Sequence, residues 1–88
     1  MPVHVELFGI PRQRAGLKEL DVEANNLRSL FVELGRAIPQ LVGVCLEDDG
    51  QLKPGYLANL NGRAFVTDTE TRLDDGDSIL ILSADAGG

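Results

Sequence analysis

The stretch that decides the arrangement of this chain is its last apolar run, Ser78-Ile79-Leu80-Ile81-Leu82-Ser83. Its β-branched and apolar residues favour a β-strand. Side chains alternate along a strand, so Ile79 and Ile81 share one face while Leu80 and Leu82 share the other. The run continues directly into Ala-Asp-Ala-Gly-Gly, where the sequence ends. The pattern therefore predicts a strand that carries the chain into a short tail with two terminal glycines.

The tail is slim enough to enter a narrow channel. Gly87 and Gly88 have no side chain, so a ligand can approach their backbone closely. An extended segment of this length reaches roughly 20 Å. We predict a domain over residues 1–83 and a flexible tail over residues 84–88, in which Gly87 and Ala86 thread a partner's channel. A frayed terminus without a function is the alternative.

The beginning of the chain predicts a β-hairpin. Residues 3–8 alternate between apolar and polar positions, as a strand with one buried face does, and residues 17–24 resume that alternation. Gly9 and Pro11 end the first strand, and residues 12–16 predict a polar turn between the two.

A single amphipathic helix follows. Asn25-Asn26 offers an N-cap, and Pro39 ends the helix near residue 38. The apolar side chains between these signals lie within an arc of about 100° on a helical wheel, which predicts one stripe facing a core. The stripe consists of Leu27, Leu30, Phe31, Leu34 and Ile38.

The second half of the chain predicts further strands. Residues 41–46 are apolar and fit either one helical turn or a short extended piece. Residues 56–60 predict a third strand, and Asn61-Gly62 is a strong hairpin signal that leads into a fourth strand over residues 63–66. Leu73 is expected to fill the core before the turn that precedes the last strand.

Two strands, one helix and three more strands predict a two-layer α+β sandwich, because one helix can cover only one face of a sheet. We expect a mixed sheet of about five strands. If the last strand lies centrally, beside the first and parallel to it, the domain is a β-grasp, the ubiquitin-like fold.

Charge and composition narrow the function classes. The chain has 88 residues, enough for one domain, and a net charge of −6. This sign argues against nucleic acid and against anionic membrane surfaces, and it favours a basic protein partner. No apolar run reaches a membrane span of about 18 residues, and no secretory signal is visible at the start. A single cysteine excludes an internal disulfide. We expect a cytoplasmic protein.

Few residues could form a catalytic or metal site. His4 lies in a predicted strand, and Cys45 has no neighbouring base in the sequence. Each is better explained as a structural residue, although an enzyme that uses both residues is kept as an alternative hypothesis. The acidic turn at residues 74–77 lacks the spacing of a calcium loop, so we predict no metal site. We expect no enzyme activity in this chain and no cofactor bound by it.

Gly88 is the remaining candidate for chemistry. Its carboxylate is ionised at neutral pH and is a poor electrophile. A partner enzyme must first convert the carboxylate into an acyl-adenylate with ATP and Mg²⁺. A sulfur donor can then displace AMP and leave a thiocarboxylate, or an amine can capture the acyl group. The catalytic residues of this scheme belong to partners.

The chain contains three specific motifs, Leu60-Asn61-Gly62-Arg63, Leu73-Asp74-Asp75-Gly76-Asp77 and the final Ala86-Gly87-Gly88. With these motifs the sequence resembles the ubiquitin-like sulfur carriers, which include the small subunit of molybdopterin synthase, the thiamine-pathway carrier and the ubiquitin-related modifier. The resemblance spans nearly the whole chain.

The resemblance implies a β-grasp fold and a Gly88 that an E1-like adenylyltransferase activates. It also implies a sulfurtransferase and a sulfur-accepting synthase of the molybdopterin synthase large-subunit type. Residues 52–55 and the Asn-Gly turn are most similar to the molybdopterin branch. A carrier for thiamine thiazole or cysteine synthesis, and a modifier conjugated to lysines, are the alternatives.

The last strand also predicts a docking surface. If the helix covers Ile79 and Ile81, then Leu80 and Leu82 form an apolar strip on the other face of the sheet, beside the tail. Leu57 extends this strip from the third strand. The alternative is that a loop covers Leu80 and Leu82 and makes them core residues.

Overall fold

The computed structural model describes residues 2–85, which form one sheet with two helices and a short 3₁₀ helix. The elements in chain order are strand β1 (Pro2–Leu7), helix α1 (Ile10–Ala15), strand β2 (Glu19–Glu23), helix α2 (Leu27–Ala37), the 3₁₀ helix (Pro39–Leu41), and strands β3 (Tyr56–Leu60), β4 (Ala64–Phe65) and β5 (Ser78–Ser83).

The sheet has the order β2-β1-β5-β3-β4. Strand β5 lies in the centre, parallel to β1 and antiparallel to β3. Ile81 stands opposite Leu7 on one side and opposite Ala58 on the other. This topology confirms the predicted β-grasp, because the last strand pairs with the first across the middle of the sheet.

Helix α2 covers one face of the sheet. Its N-cap is Asn26, whose side chain accepts a hydrogen bond from the Ser29 amide at 2.8 Å, while Ser29 Oγ accepts one from the Asn26 amide at 3.2 Å. This reciprocal capping box satisfies amide groups that the first helical turn leaves unpaired. The helix ends at Ala37, two residues before Pro39, as predicted.

The core lies between α2 and the sheet. All five residues of the predicted helical stripe are buried, and they meet Val3, Val5, Ile79 and Ile81 from the central strands. Leu73 is buried as expected. The ambiguous segment at residues 41–46 forms the end of the 3₁₀ helix and a set of turns, and it contributes Leu41, Cys45 and Leu46 to the core.

The polar turn predicted at residues 12–16 is wrong. Residues 10–15 form helix α1, and β2 begins at Glu19 rather than at residue 17. Strand β1 ends at Leu7, before Gly9, and Pro11 instead occupies the first turn of α1, where a missing amide hydrogen costs nothing. Pro11 and Ala15, four residues apart, are buried, and Gly16 ends the helix with a φ of 76°. A helix of this length has too few turns to show a period.

Side-chain hydrogen bonds of Asn61 join the Asn-Gly hairpin to the turn before β5, and we call these bonds the lock. Asn61 and Gly62 have φ values of 56° and 70°, and the Arg63 amide donates to the Leu60 carbonyl at 3.0 Å. The Asn61 Nδ2 group donates to Asp77 Oδ1 at 3.0 Å, and the Ser78 amide donates to Asn61 Oδ1 at 2.8 Å. These bonds fix the start of β5 against the end of β3.

Asp77 is the acidic partner in this lock. Its Oδ2 accepts a hydrogen bond from the Asp74 amide at 2.8 Å. This bond and the bond from Asn61 lower the pKa of Asp77, because both favour the ionised carboxylate. The predicted hairpin is thus confirmed, although β4 covers only Ala64–Phe65 and not residues 63–66.

Neither helix of residues 2–85 combines the length and the apolar composition needed to cross a bilayer.

Candidate docking face and tail site

Strand β5 holds the chain in the sheet up to the point where the tail begins. Ser83 is buried, and the Ala84 amide donates to the Gly55 carbonyl at 2.8 Å. The Asp85 amide donates to Ser83 Oγ at 3.3 Å. Residues 86–88 lie outside the described residues, so the roles predicted for Ala86, Gly87 and Gly88, and the division into a domain and a tail, stay predictions.

The face of the sheet opposite α2, here called the open face, carries the predicted apolar residues. Leu80 and Leu82 are half-buried, whereas Ile79 and Ile81 on the same strand have no exposed surface. Leu57 stands directly opposite Leu82 and is also half-buried. The structure thus brings the three leucines together on one face, while their role in partner binding stays a prediction.

Strand β4 adds an aromatic residue to this face that the sequence analysis missed. Phe65 is 59% exposed and stands opposite Asn59, which itself stands opposite Leu80. A pocket of about 220 Å³ opens beside Phe65 and is lined by mostly apolar side chains. We call Leu57, Leu80, Leu82 and Phe65 the apolar strip. Strand alternation makes residues 64 and 65 point to opposite faces, so the sequence pattern after the Asn-Gly turn predicts that one of them lies on the open face.

A second exposed group lies at the end of the sheet where the tail begins. Strands β1 and β5 are parallel, so their C-terminal ends lie at the same edge, and the Phe8 amide donates to the Ile81 carbonyl at 3.0 Å. Phe8 is 49% exposed, and Ile10 and Leu17 beside it are exposed as well. Exposed or half-buried apolar surface therefore lies both on the open face and at this edge.

The structure does not bring the candidate catalytic residues together. His4 lies on the open face, where Nδ1 is 2.8 Å from Asp21 Oδ1 and Nε2 is 3.6 Å from Glu19 Oε1. The hydrogen bond to Asp21 raises the pKa of His4. Cys45 is buried in the core, and burial raises the pKa of its thiol to about 11. A neutral, covered thiol is a poor nucleophile, and His4 cannot activate it from the other face.

The acidic turn also has a structural explanation. The Asp77 carboxylate accepts the two hydrogen bonds described above, from Asp74 and Asn61. Within residues 2–85, no three His, Cys, Asp or Glu side chains are grouped so that they could hold a metal ion.

Solved structures with the same arrangement come from archaea and bacteria. SAMP1 from Haloferax volcanii matches with a TM-score of 0.85 at 21% identity, over 100% of both chains. Small archaeal modifier protein 1 from Methanosarcina acetivorans matches with a TM-score of 0.82 at 29% identity, over 99% of this chain and 96% of that one. A chain in the complex of subunits 1 and 2 of the molybdopterin-converting factor from Helicobacter pylori 26695 matches with a TM-score of 0.68 at 25% identity, over 100% of both chains.

No protein-family model matches the chain, and no curated protein matches it. The structural neighbours are ubiquitin-like sulfur carriers, so the predicted resemblance to that family is confirmed. These neighbours are small carrier or subunit proteins, and the Helicobacter protein is seen in complex with a second subunit.

Proposed function

We propose that this chain is a sulfur carrier whose Gly88 is adenylated by an E1-like enzyme and converted to a thiocarboxylate. The observation that carries the proposal is the central position of β5, which brings the chain to Ala84 and Asp85 beside the half-buried Leu82 of the apolar strip. A partner can hold the strip and the edge around Phe8 while the terminal residues enter its active site. The shared fold with known carriers supports the same reading.

The chemistry takes place in two transfers. The Gly88 carboxylate attacks the α-phosphate of ATP in the partner's site, and pyrophosphate leaves with Mg²⁺ bound to the phosphates. Hydrosulfide, which a thiol reductant releases from the persulfide of a sulfurtransferase, then attacks the acyl carbon, so that a C–S bond forms, the C–O bond to AMP breaks and AMP leaves. The carrier contributes the carboxylate and the docking surface, and the partners contribute ATP, Mg²⁺ and every catalytic side chain.

We propose molybdopterin synthesis as the pathway that receives the sulfur, with a synthase large subunit as the acceptor. The support is the likeness to the molybdopterin-converting factor complex, at 25% identity over the full length of both chains. A carrier for thiamine thiazole or cysteine synthesis uses the same activated end, and the acceptor enzyme that removes the sulfur distinguishes the three.

Intact-mass measurement tests the proposal. The full chain is incubated with its adenylating enzyme, ATP, Mg²⁺ and a sulfur donor, and the expected product has one oxygen replaced by sulfur. A variant without Gly87 and Gly88 is the control, and it should melt at nearly the same temperature without gaining sulfur. Absence of the mass change in the full chain would contradict the proposal, and unfolding of the shortened chain would make the tail a structural element.

A modifier conjugated to lysines is the second candidate. It is favoured by the likeness to small archaeal modifier protein 1 at 29% identity. The same acyl-adenylate then reacts with a lysine amine, and an amide bond replaces the bond to AMP. A ladder of Gly88–lysine conjugates in cells, absent from the variant without the two glycines, would support this candidate.

A further inference from the structure

The open face is divided by charge as well as by hydrophobicity. One row of opposing residues crosses the sheet from β2 to β4 and consists of Glu19, Glu6, Leu80, Asn59 and Phe65. The row is acidic on the two strands at one side and largely apolar on the three strands at the other. The apolar strip therefore has an acidic border on one side.

Further acids on the same two strands enlarge this border. Asp21 stands opposite His4, and Glu23 stands opposite Pro2. Glu6, Glu19, Asp21 and Glu23 are all exposed and point away from the buried Val3, Val5 and Val22. We call these four residues the acidic half of the open face.

The five strands contribute acids to the open face but no permanently charged cation. None of the five strands contains a lysine or an arginine. His4 is the one cationic group on these strands, and it carries a charge only when it is protonated. The side chains of the strands therefore bring net negative charge to the open face at neutral pH, in keeping with the net charge of −6.

The acidic half contains a pair of like charges that opposes folding. Glu6 and Glu19 are direct cross-strand partners, and like charges in that position destabilise a sheet. Acids on the outer strand β2 can also serve to prevent edge-to-edge aggregation. That explanation does not extend to Glu6, because β1 is an inner strand, paired on both sides.

We propose that the acidic half docks a basic surface on the adenylating enzyme, next to the apolar contact made by Leu80, Leu82, Leu57 and Phe65. This inference rests on the proposed function. Charge complementarity identifies the partner's chemistry: lysine or arginine side chains opposite β1 and β2, and apolar side chains opposite β5, β3 and β4. Such a surface steers the encounter and selects one orientation, so that the tail points into the enzyme's active site.

The test compares two triple variants with the same change in net charge. Glu6→Gln, Glu19→Gln and Asp21→Asn neutralise the acidic half. The control neutralises three acids on the helix side, and its substitutions are Glu33→Gln, Asp48→Asn and Asp49→Asn. Stopped-flow association with the adenylating enzyme is measured at low and high salt, and adenylation is followed by pyrophosphate release at saturating enzyme.

We expect the first triple variant to associate about 10-fold more slowly at low salt, with a flatter salt dependence, while the control changes less than about 2-fold. The control should reach the wild-type adenylation rate at saturation, and the single change Glu6→Gln should leave the melting temperature unchanged or raise it. Equal slowing of both triple variants, or slowing of neither, would overturn the acidic half as a docking surface. Failure of the wild-type chain to be adenylated would overturn the proposed function itself.

Discussion

The two faces of strand β5 differ in what covers them. Ile79 and Ile81 point toward helix α2 and are fully buried, while Leu80 and Leu82 point the other way and are only half-buried. Both pairs are apolar and adjacent in the sequence, so hydrophobicity alone does not distinguish them. The difference comes from the position of helix α2, which covers only one face of the sheet.

This difference separates stability from recognition within one strand. The covered face contributes to folding through buried area and close packing. The open face keeps apolar residues that the fold leaves half-buried, close to Ala84 and Asp85, the last residues that the structure describes. Substitutions on the two faces should therefore change different measurements, and this gives a direct way to test the assignment.

Ile81→Ala should have the largest effect on stability. It removes a fully buried side chain between Leu7 and Ala58 in the middle of the sheet. The expected loss in the free energy of unfolding is about 2–5 kcal/mol, from lost transfer energy and from the cavity that remains. Urea unfolding followed by circular dichroism measures it. A loss below about 1 kcal/mol would show that the covered face is loosely packed.

Leu82→Ala should have the opposite profile. Its side chain is half-buried, so the free energy of unfolding should fall by about 1 kcal/mol. Binding to the adenylating enzyme should weaken by about 2 kcal/mol, roughly 30-fold, if Leu82 is an anchor of the interface. Isothermal titration calorimetry measures the binding, with Val42→Ala, an exposed apolar residue outside the sheet, as the control. Equal binding of both variants would remove the apolar strip from the interface.

Cys45→Ser tests whether the covered side has any chemical role. The buried hydroxyl would lack the solvation it has in the unfolded chain, so we expect a loss of about 2 kcal/mol in stability. Thiocarboxylate formation well below the melting temperature should be unchanged. Because burial raises the thiol pKa to about 11, iodoacetamide should react slowly with the folded wild type. Cys45→Ala is the control, and a loss of sulfur transfer in either folded variant would revive a catalytic cysteine.

Asn61→Gly tests whether the side-chain hydrogen bonds of Asn61 determine the position of β5 in the sheet. The change keeps the positive φ of the turn but removes the side-chain bonds to Asp77 and Ser78. The expected loss in the free energy of unfolding is about 1 kcal/mol. Asp77→Asn removes the charge from the same lock and serves as the comparison. A larger loss for Asn61→Gly than for Ile81→Ala would mean that the lock, and not the buried face, determines the position of β5.

Local patterns predicted the elements that depend on local chemistry. Alternation marked the faces of β5, the Asn-Gly pair marked the hairpin, and Asn26 with the apolar stripe marked α2. The lock between Asn61 and Asp77 joins residues 16 positions apart, and no local pattern reveals such a bond. The acidic half was also hidden, because α1 replaces the predicted turn and the register of β1 against β2 cannot be read from turn length.

The substitution His4→Gln should have the smallest effect on stability, and this effect should depend on pH. Its hydrogen bond to Asp21 raises its pKa above the ordinary value of 6.5. The protonated form is therefore favoured by folding, and the stabilising contribution is complete below the unfolded-state pKa and is lost as the pH rises through the folded-state pKa. Solvent screens the pair, because about a third of the His4 side chain is exposed, so the change is small.

The comparison of wild type with His4→Gln isolates this contribution, since the other titrating groups are common to both chains. The melting temperature of the wild type should exceed that of His4→Gln at about pH 5.5, and the difference should shrink by about pH 8.5. Asp21→Asn should remove most of the difference, because it removes the hydrogen-bonded carboxylate. A difference that grows with pH would show that folding favours the neutral form of His4, and it would contradict this prediction.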